Sequence, residues 1–318
     1  MGDPIPMIHF EKCGPVAVPE ELLPVALPEV DNYAPAGDGQ SPLATIDDWV
    51  NAACPTCNEL AKRETNTMPQ WAGSPWYYLR YMDPKNKEAL VSKENEKYWA
   101  PVDVYVGGDH AVRHLIYARF WHKFLYDIDV VSTIEPFQRL EFLGFILADD
   151  GRKMIKRWGN VINPDDIVKL VGADTLRIYE MFMGPFENTI AWSQDGVVGA
   201  RRFLERIYGL ASHIADTESK EMTSLLHKTI KKVSADIEQF KFNTAISSMM
   251  IYVNKAEKEG LTTLSYRAFL QLLAPFAPHI TEELWNEHTD EDTIHLSNWP
   301  QYNEDLAKDD TITIGVQI

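Results

Sequence analysis

The chain has 318 residues, 45% of them hydrophobic, and a formal net charge of −17, so it can bury a substantial core and is neither disordered nor fibrous. Such an acidic balance argues against indiscriminate nucleic-acid binding and allows only a local basic face that grips one RNA. The start M-G-D-P lacks a basic and an apolar leader region, no stretch reaches membrane-span length, and the cysteines number an odd three. A soluble cytoplasmic protein of two or so domains, with no membrane partner and no disulfide framework, is expected.

Residues 1–63 are rich in proline and read as loop-like. Cys54-Pro55-Thr56-Cys57 is a C-x-x-C knuckle and Cys13-Gly14 is half of another, so a tetrahedral zinc site is conceivable. Its candidate ligands are Cys13, Cys54 and Cys57, with His9 for the fourth place, because Phe10 stands where the partner of Cys13 would be. The alternative is a zinc-free remnant with buried thiols. Glu64–Tyr81 is dense in aromatic residues and reads as a buried segment. Val102–Val106 alternates as a strand does, meets Gly107-Gly108-Asp109-His110, and continues as an amphipathic run to Tyr126. Strand, glycine turn and helix bring backbone close to a nucleotide at the carboxyl end of a parallel sheet. His110 and His114, four residues apart, fall on one helix face. Leu140–Ala148 reads as a buried strand.

Gly151–Asp166 reverses the global charge, placing Arg152, Lys153, Lys156 and Arg157 within six residues. Such a cluster holds a polyanion by mobile point charges. The next helix is predicted from Pro164 to Val171, with Asn163 as cap, two aspartates at the positive end of its dipole, and Gly172 as its stop. From Ala173 the pattern is helical. Asp174–Met183 closes at Gly184-Pro185, and Ser193 caps a long helix carrying Arg201, Arg202 and Arg206. Asn243 is expected to cap a helix that Gly260 ends, and Pro275 and Pro278 frame a turn before His279–Glu287.

The order K-M-I-K-R, G-N and N-P-D-D between Lys153 and Asp166 resembles the K-M-S-K-S…G-N…P-D-D loop of class I aminoacyl-tRNA synthetases. With G-A-D-T-L-R at 172–177, E-T-N-T-M…S-P-W-Y-Y-L-R-Y at 64–81, the G-G-D-H run and L-L-A-P-F-A-P-H-I-T-E-E-L-W at 272–285, the match is similar to leucyl-tRNA synthetase. This resemblance implies the second half of a Rossmann-like catalytic domain followed by a helical anticodon-binding bundle, α/β and then all-α. By it the chain divides into a knuckle segment (1–63), a partial catalytic domain (64–192), a helical domain (193–300) and the start of a small C-terminal domain (301–318). Comparable regions of the family carry paired knuckles, sometimes with zinc.

The resemblance further implies leucine, ATP with Mg and tRNA(Leu) as substrates. Lys153 and Lys156 would stabilise the triphosphate. Gly107, Gly108, Asp109, Gly144 and Met154 would border the nucleotide, with Asp109 toward the ribose. Trp71, Ser74, Tyr77, His110 and His114 would lie near the leucine, while Trp76, Tyr78 and Tyr81 pack; Arg201, Arg202 and Arg206 would meet tRNA phosphates. The family serine is Ile155 here, and Leu143 and Phe145 replace a Gln and a Met. No H-I-G-H-like run occurs in the sequence, so a ligase of this kind needs a separate N-terminal half. The alternative is an inactive paralogue that binds tRNA or nucleotide.

Overall fold

A computed structural model describes residues 2–30, 34, 37, 39–68, 70–108 and 111–308, the side chains of 70, 71, 111 and 112 excepted. It divides into two units, Met1–Glu141 and Phe142–Ile318, each described by itself.

The first unit begins with β1 (Met7–Phe10) and β2 (Gly14–Ala17), followed by α1 (Asp47–Val50), β3 (Asn51–Ala53) and β4 (Leu60–Arg63). These strands form one antiparallel sheet in the order β2-β1-β4-β3. The segment expected to be loop-like therefore contains a sheet. Its strands are three or four residues long, too short for a period-two pattern to stand out. Ile8, Val18, Cys54 and Ala61 form its small core. Each hairpin turn ends in a left-handed residue directly after a cysteine, Gly14 at φ 72° and Asn58 at φ 63°.

Next come α2 (Tyr77–Met82), α3 (Lys93–Trp99), β5 (Val102–Gly107) and α4 (Ile116–Asp127), then β6 (Phe137–Phe142), which pairs with β5. Ala118, His122 and Leu125 of α4 are buried at helical spacing. His122 is fixed in one tautomer. Its Nε2 lies 2.9 Å from the Thr133 carbonyl, which only accepts, so Nε2 donates and Nδ1 receives the Tyr78 hydroxyl at 2.8 Å. Burial lowers the pKa of this imidazole. The opposite side of α4 presents Ile116, Phe120 and Phe124, all exposed, so the helix is apolar on two sides.

In the second unit, β7 (Ile146–Leu147) runs parallel to β8 (Ile190–Ala191). Between them lie α5 (Pro164–Val171) and α6 (Ala173–Phe182); after them come α7 (Gln194–Gly209), α8 (Lys220–Glu238), α9 (Phe242–Glu259), α10 (Thr263–Leu273) and α11 (Pro278–His288). One continuous core runs from Ile167 to Ile294 and includes Tyr252, Tyr266, Phe269, Phe276 and Trp285. Each such side chain contributes about 1.5–3 kcal/mol by leaving water. Two residues of α6 hold the α10–α11 turn. Asp174 accepts the Ile280 N–H at 2.7 Å and the His279 N–H at 3.4 Å, and Arg177 donates to the Pro275 and Phe276 carbonyls at 2.7 and 3.2 Å.

Several expectations hold here. The helix after the basic loop spans Pro164–Val171, with Asn163 accepting the Asp165 N–H, and Ser193 caps α7 through the Gly196 N–H. Others need correction. Helix α9 starts at Phe242, so Asn243 is inside it; Asp236, buried at the end of α8, takes the Lys241 N–H on its carbonyl and the Thr244 hydroxyl on its carboxylate instead. Leu140–Ala148 is no single buried strand. It breaks after Phe142 because Gly144 docks on the backbone of 186–188, and Leu140, Phe142, Leu143 and Phe145 are exposed. Trp76 and Tyr81 are exposed too, at 42% and 75%; only Tyr78 of that trio packs. The tail 309–318 lies outside the described residues.

Candidate active site and thiol cluster

The basic loop of the second unit is held open by backbone and amide contacts. Leu147 bridges Lys153, Ala148 N–H donates to the Arg152 carbonyl at 2.8 Å, and Gly151 turns at φ 75°. Asn160 then ties the loop across itself. Its Oδ1 accepts the Ile155 N–H at 2.9 Å and its Nδ2 donates to the Lys153 carbonyl at 3.2 Å. Met154 and Ile162 anchor the same segment by packing on the core. What remains outside is charge: Lys153, Lys156 and Arg157 are exposed, the Lys153 ammonium 4.5 Å from the centre of the Phe145 ring. Arg152 is engaged by Asp150, whose pKa that contact lowers. A loop so tied offers two lysines to an anion at little further ordering cost.

Gly144 has a packing reason as well as a predicted ligand role. A Cβ there would stand 2.0 Å from the Asn188 carbonyl oxygen. Close approach of backbone is what the glycine permits.

In the first unit two of the residues expected near leucine, Tyr77 and His114, belong to one aromatic cluster. Tyr77 lies 5.5 Å from the His114 ring, and Tyr105 stacks on His114 at 4.9 Å and meets Phe137 at 4.9 Å. His114 is 2% exposed. Burial raises both the Tyr77 and Tyr105 phenol pKa values, that of Tyr105 to about 12, so both stay neutral. Tyr105 and Phe137 are absent from the sequence-derived set. Tyr105 was readable as the strand residue on the same face as Asp103 and Gly107; Phe137, thirty-two residues on, had no local signal. Gly107 ends β5 buried and Gly108 follows it half-buried, while Ser74 is half-buried. Trp71 falls in a 3-10 turn, Gln70–Gly73, and its side chain lies outside the described residues, as do Asp109 and His110.

The sulfurs of Cys13, Cys54 and Cys57 lie within 4.8 Å of one another. His9 is not among them; its Nε2 sits 2.8 Å from Glu64 Oε2. The Cys57 thiol, more than any other group, raises the pKa of Cys13 to about 11. For Cys54 burial works upward, but the Cys57 and Thr56 N–H groups prevail and lower it. Three soft donors at this separation fit one zinc ion in number and kind, with one ligand still to be supplied.

Residues 43–193 match the class I tRNA synthetase family of the I, L, M and V enzymes, and residues 219–317 match the anticodon-binding domain of tRNA ligase. The agnB2 leucyl-tRNA synthetase of Agrobacterium radiobacter K84, solved as a ternary complex with tRNA and LeuAMS, aligns with 96% of this chain at 37% identity and a TM-score of 0.87. The chain belongs to the class I tRNA synthetases. It is leucyl-tRNA synthetase-like, with part of the catalytic domain followed by the anticodon-binding domain, and it spans 42% of the length of that enzyme. Methionyl-tRNA synthetase of Mycobacterium tuberculosis, in complex with methionyl-adenylate, shares the fold over 74% of this chain and 51% of its own, at 15% identity and a TM-score of 0.54.

On helix α7 the three arginines expected at tRNA differ. Arg206 is taken by Glu257, 2.8 Å from Nε, and by Asn254; Arg201 pairs with Glu205 at 2.8 Å and reaches the Val171 carbonyl. Among the described residues Arg202 alone of the three is exposed with no such partner. No helix among those residues is long and apolar enough to cross a membrane.

Proposed function

We propose that this chain is the C-terminal part of a leucine–tRNA ligase that activates leucine with Mg-bound ATP and transfers it to tRNA(Leu) in the cytoplasm. A separate catalytic half with the H-I-G-H motif completes it. The leucine carboxylate attacks the α-phosphorus, the bond to the β-phosphate breaks, and pyrophosphate leaves. Negative charge accumulates on the departing phosphates, where Lys153 and Lys156 contribute most by holding that charge in place. Gly107, Gly108, Asp109, Gly144 and Met154 border the nucleotide in this reading. Tyr77, Tyr105, His114, Trp71, Ser74 and His110 surround the leucine, and Arg202 meets tRNA phosphate.

The observation that carries this reading is the signature loop, tied by Asn160 so that two exposed lysines face outward. The two-sided apolar helix α4 supports the need for another half, because Ile116, Phe120 and Phe124 on one of its faces are exposed among the described residues. Lys153→Ala and Lys156→Ala test it in leucine-dependent ATP–pyrophosphate exchange by the complemented enzyme. Each is expected to lower the rate about 100-fold; an unchanged rate removes the loop from the mechanism.

A second reading rests on Ile155. It replaces a hydroxyl donor with an apolar side chain that is 39% exposed, which favours a paralogue that binds tRNA without activating leucine. Steep salt dependence of tRNA binding with no exchange in the complemented sample is its signature.

A further inference from the structure

We propose that Phe145 is a positioning residue for Lys153: its ring holds the lysine ammonium ready for a triphosphate without consuming the charge. This rests on the leucine-activating function proposed for the loop and adds a residue to it. The Lys153 Nζ stands 4.5 Å from the centre of the Phe145 ring, inside the roughly 6 Å reach of a cation–aromatic attraction. The backbone sets up the meeting. Phe145 donates its N–H to Thr189 Oγ1 at 3.3 Å and takes the Ile190 N–H on its carbonyl at 3.0 Å. Lys153 faces Leu147 across an antiparallel bridge, and its carbonyl receives the Asn160 amide at 3.2 Å. Phe145 lies two residues before Leu147, so it is the diagonal neighbour of Lys153, a place that aromatic and long side chains reach.

The kind of partner decides what each cation of the loop can still do. Arg152 is paired with the Asp150 carboxylate, with which any phosphate must compete. A phenyl ring carries no formal charge and covers one side of the ammonium, so N–H donors stay free for phosphate oxygens. Lysine has a flexible four-carbon stem and loses much of its freedom on gripping an anion. A ring that already orders the stem removes part of that cost. None of the cation–ring contacts among the described residues involves Lys156. The two loop lysines are therefore held differently, one on a platform and one free in solvent. A Met in place of Phe145, the residue the family carries there, offers no ring.

Reductive methylation of the chain with carbon-13 formaldehyde, followed by proton–carbon spectra, reads the contact without any need for activity. The Lys153 signal, assigned by its loss in Lys153→Arg, is expected upfield of the other exposed lysines, Lys156 among them. Phe145 is 36% exposed, so Phe145→Met, close in volume, keeps the fold. It should return the Lys153 signal to the position of the others and weaken binding of inorganic tripolyphosphate to this chain about 2- to 5-fold, the range for an exposed cation–ring contact. Phe145→Tyr, which keeps a ring, should preserve both. In leucine-dependent exchange by the complemented enzyme, Phe145→Met should raise the KM for ATP more than it lowers kcat, and add nothing beside Lys153→Ala. A Lys153 signal among the others, a signal unmoved by Phe145→Met, or an equal Phe145→Met loss with and without Lys153 would each overturn the proposal. Failure of the ligase function itself reads differently: no sample exchanges, while the Lys153 signal and the tripolyphosphate affinity still respond to Phe145→Met.

Discussion

Asp174 is the residue on which the α6–α11 junction depends, and its removal has a calculable cost. The carboxylate is 7% exposed and receives two N–H groups at the start of α11, one at 2.7 Å and one at the 3.4 Å limit. A charged acceptor at a helix start is worth about 1.5–3 kcal/mol for a good contact, and the dipole adds about 0.3–1. Asp174→Ala leaves the Ile280 N–H without its acceptor, so a loss of about 2–3 kcal/mol is expected. For a unit of this size the midpoint of thermal unfolding falls by roughly 4–12 °C. Asp174→Asn keeps an acceptor oxygen without the charge and should cost about half as much. Urea unfolding followed at the Trp285 fluorescence reads both. A loss below about 0.5 kcal/mol for the alanine variant, or equal losses for both, refutes the capping argument.

Gly144→Ala forces a methyl to within 2.0 Å of a backbone oxygen and should cost about 1–3 kcal/mol in the same assay. The arginines should separate by readout. Arg206→Ala should cost stability by about 1 kcal/mol through lost hydrogen bonds to Glu257 and Asn254. Arg202→Ala should leave stability alone and lower the salt slope of tRNA binding by about one. Arg119 and, next, Lys123 hold the Glu135 carboxyl down to about 2 from its ordinary 4.5. Its contribution is therefore full above pH 4.5 and is lost as pH falls through 2; Glu135→Gln should flatten that acid limb of the stability profile.

Sequence patterns reached furthest where local chemistry decides structure. Asn163-Pro164 fixes a helix start whatever surrounds it, and Leu272–Trp285 announces its turn by two prolines. Cooperation between distant segments was less legible. Nothing near Asn243 reveals that Asp236, seven residues earlier, already serves the start of α9. The exposure of Leu140–Phe145 follows from Gly144 meeting 186–188, a contact more than forty residues away in sequence. At the site, the loop lysines were readable from residue order, whereas the clamp by Asn160 and the joining of Tyr105 to Tyr77 and His114 exist only in three dimensions. Arg206 looked available to RNA because charge is visible in a sequence and a distant partner, Glu257, is not, whereas the pairing of Arg201 with Glu205 four residues on was readable from helical spacing.

The central claim is that this chain supplies the triphosphate-holding half of a leucine-activating site. Leucine-dependent ATP–pyrophosphate exchange tests it most directly, run on this chain, on an N-terminal half from a related synthetase, and on the two mixed. Exchange in the mixture alone is the expected result. Association of the two halves with no exchange would contradict it and leave tRNA binding without activation as the reading to pursue.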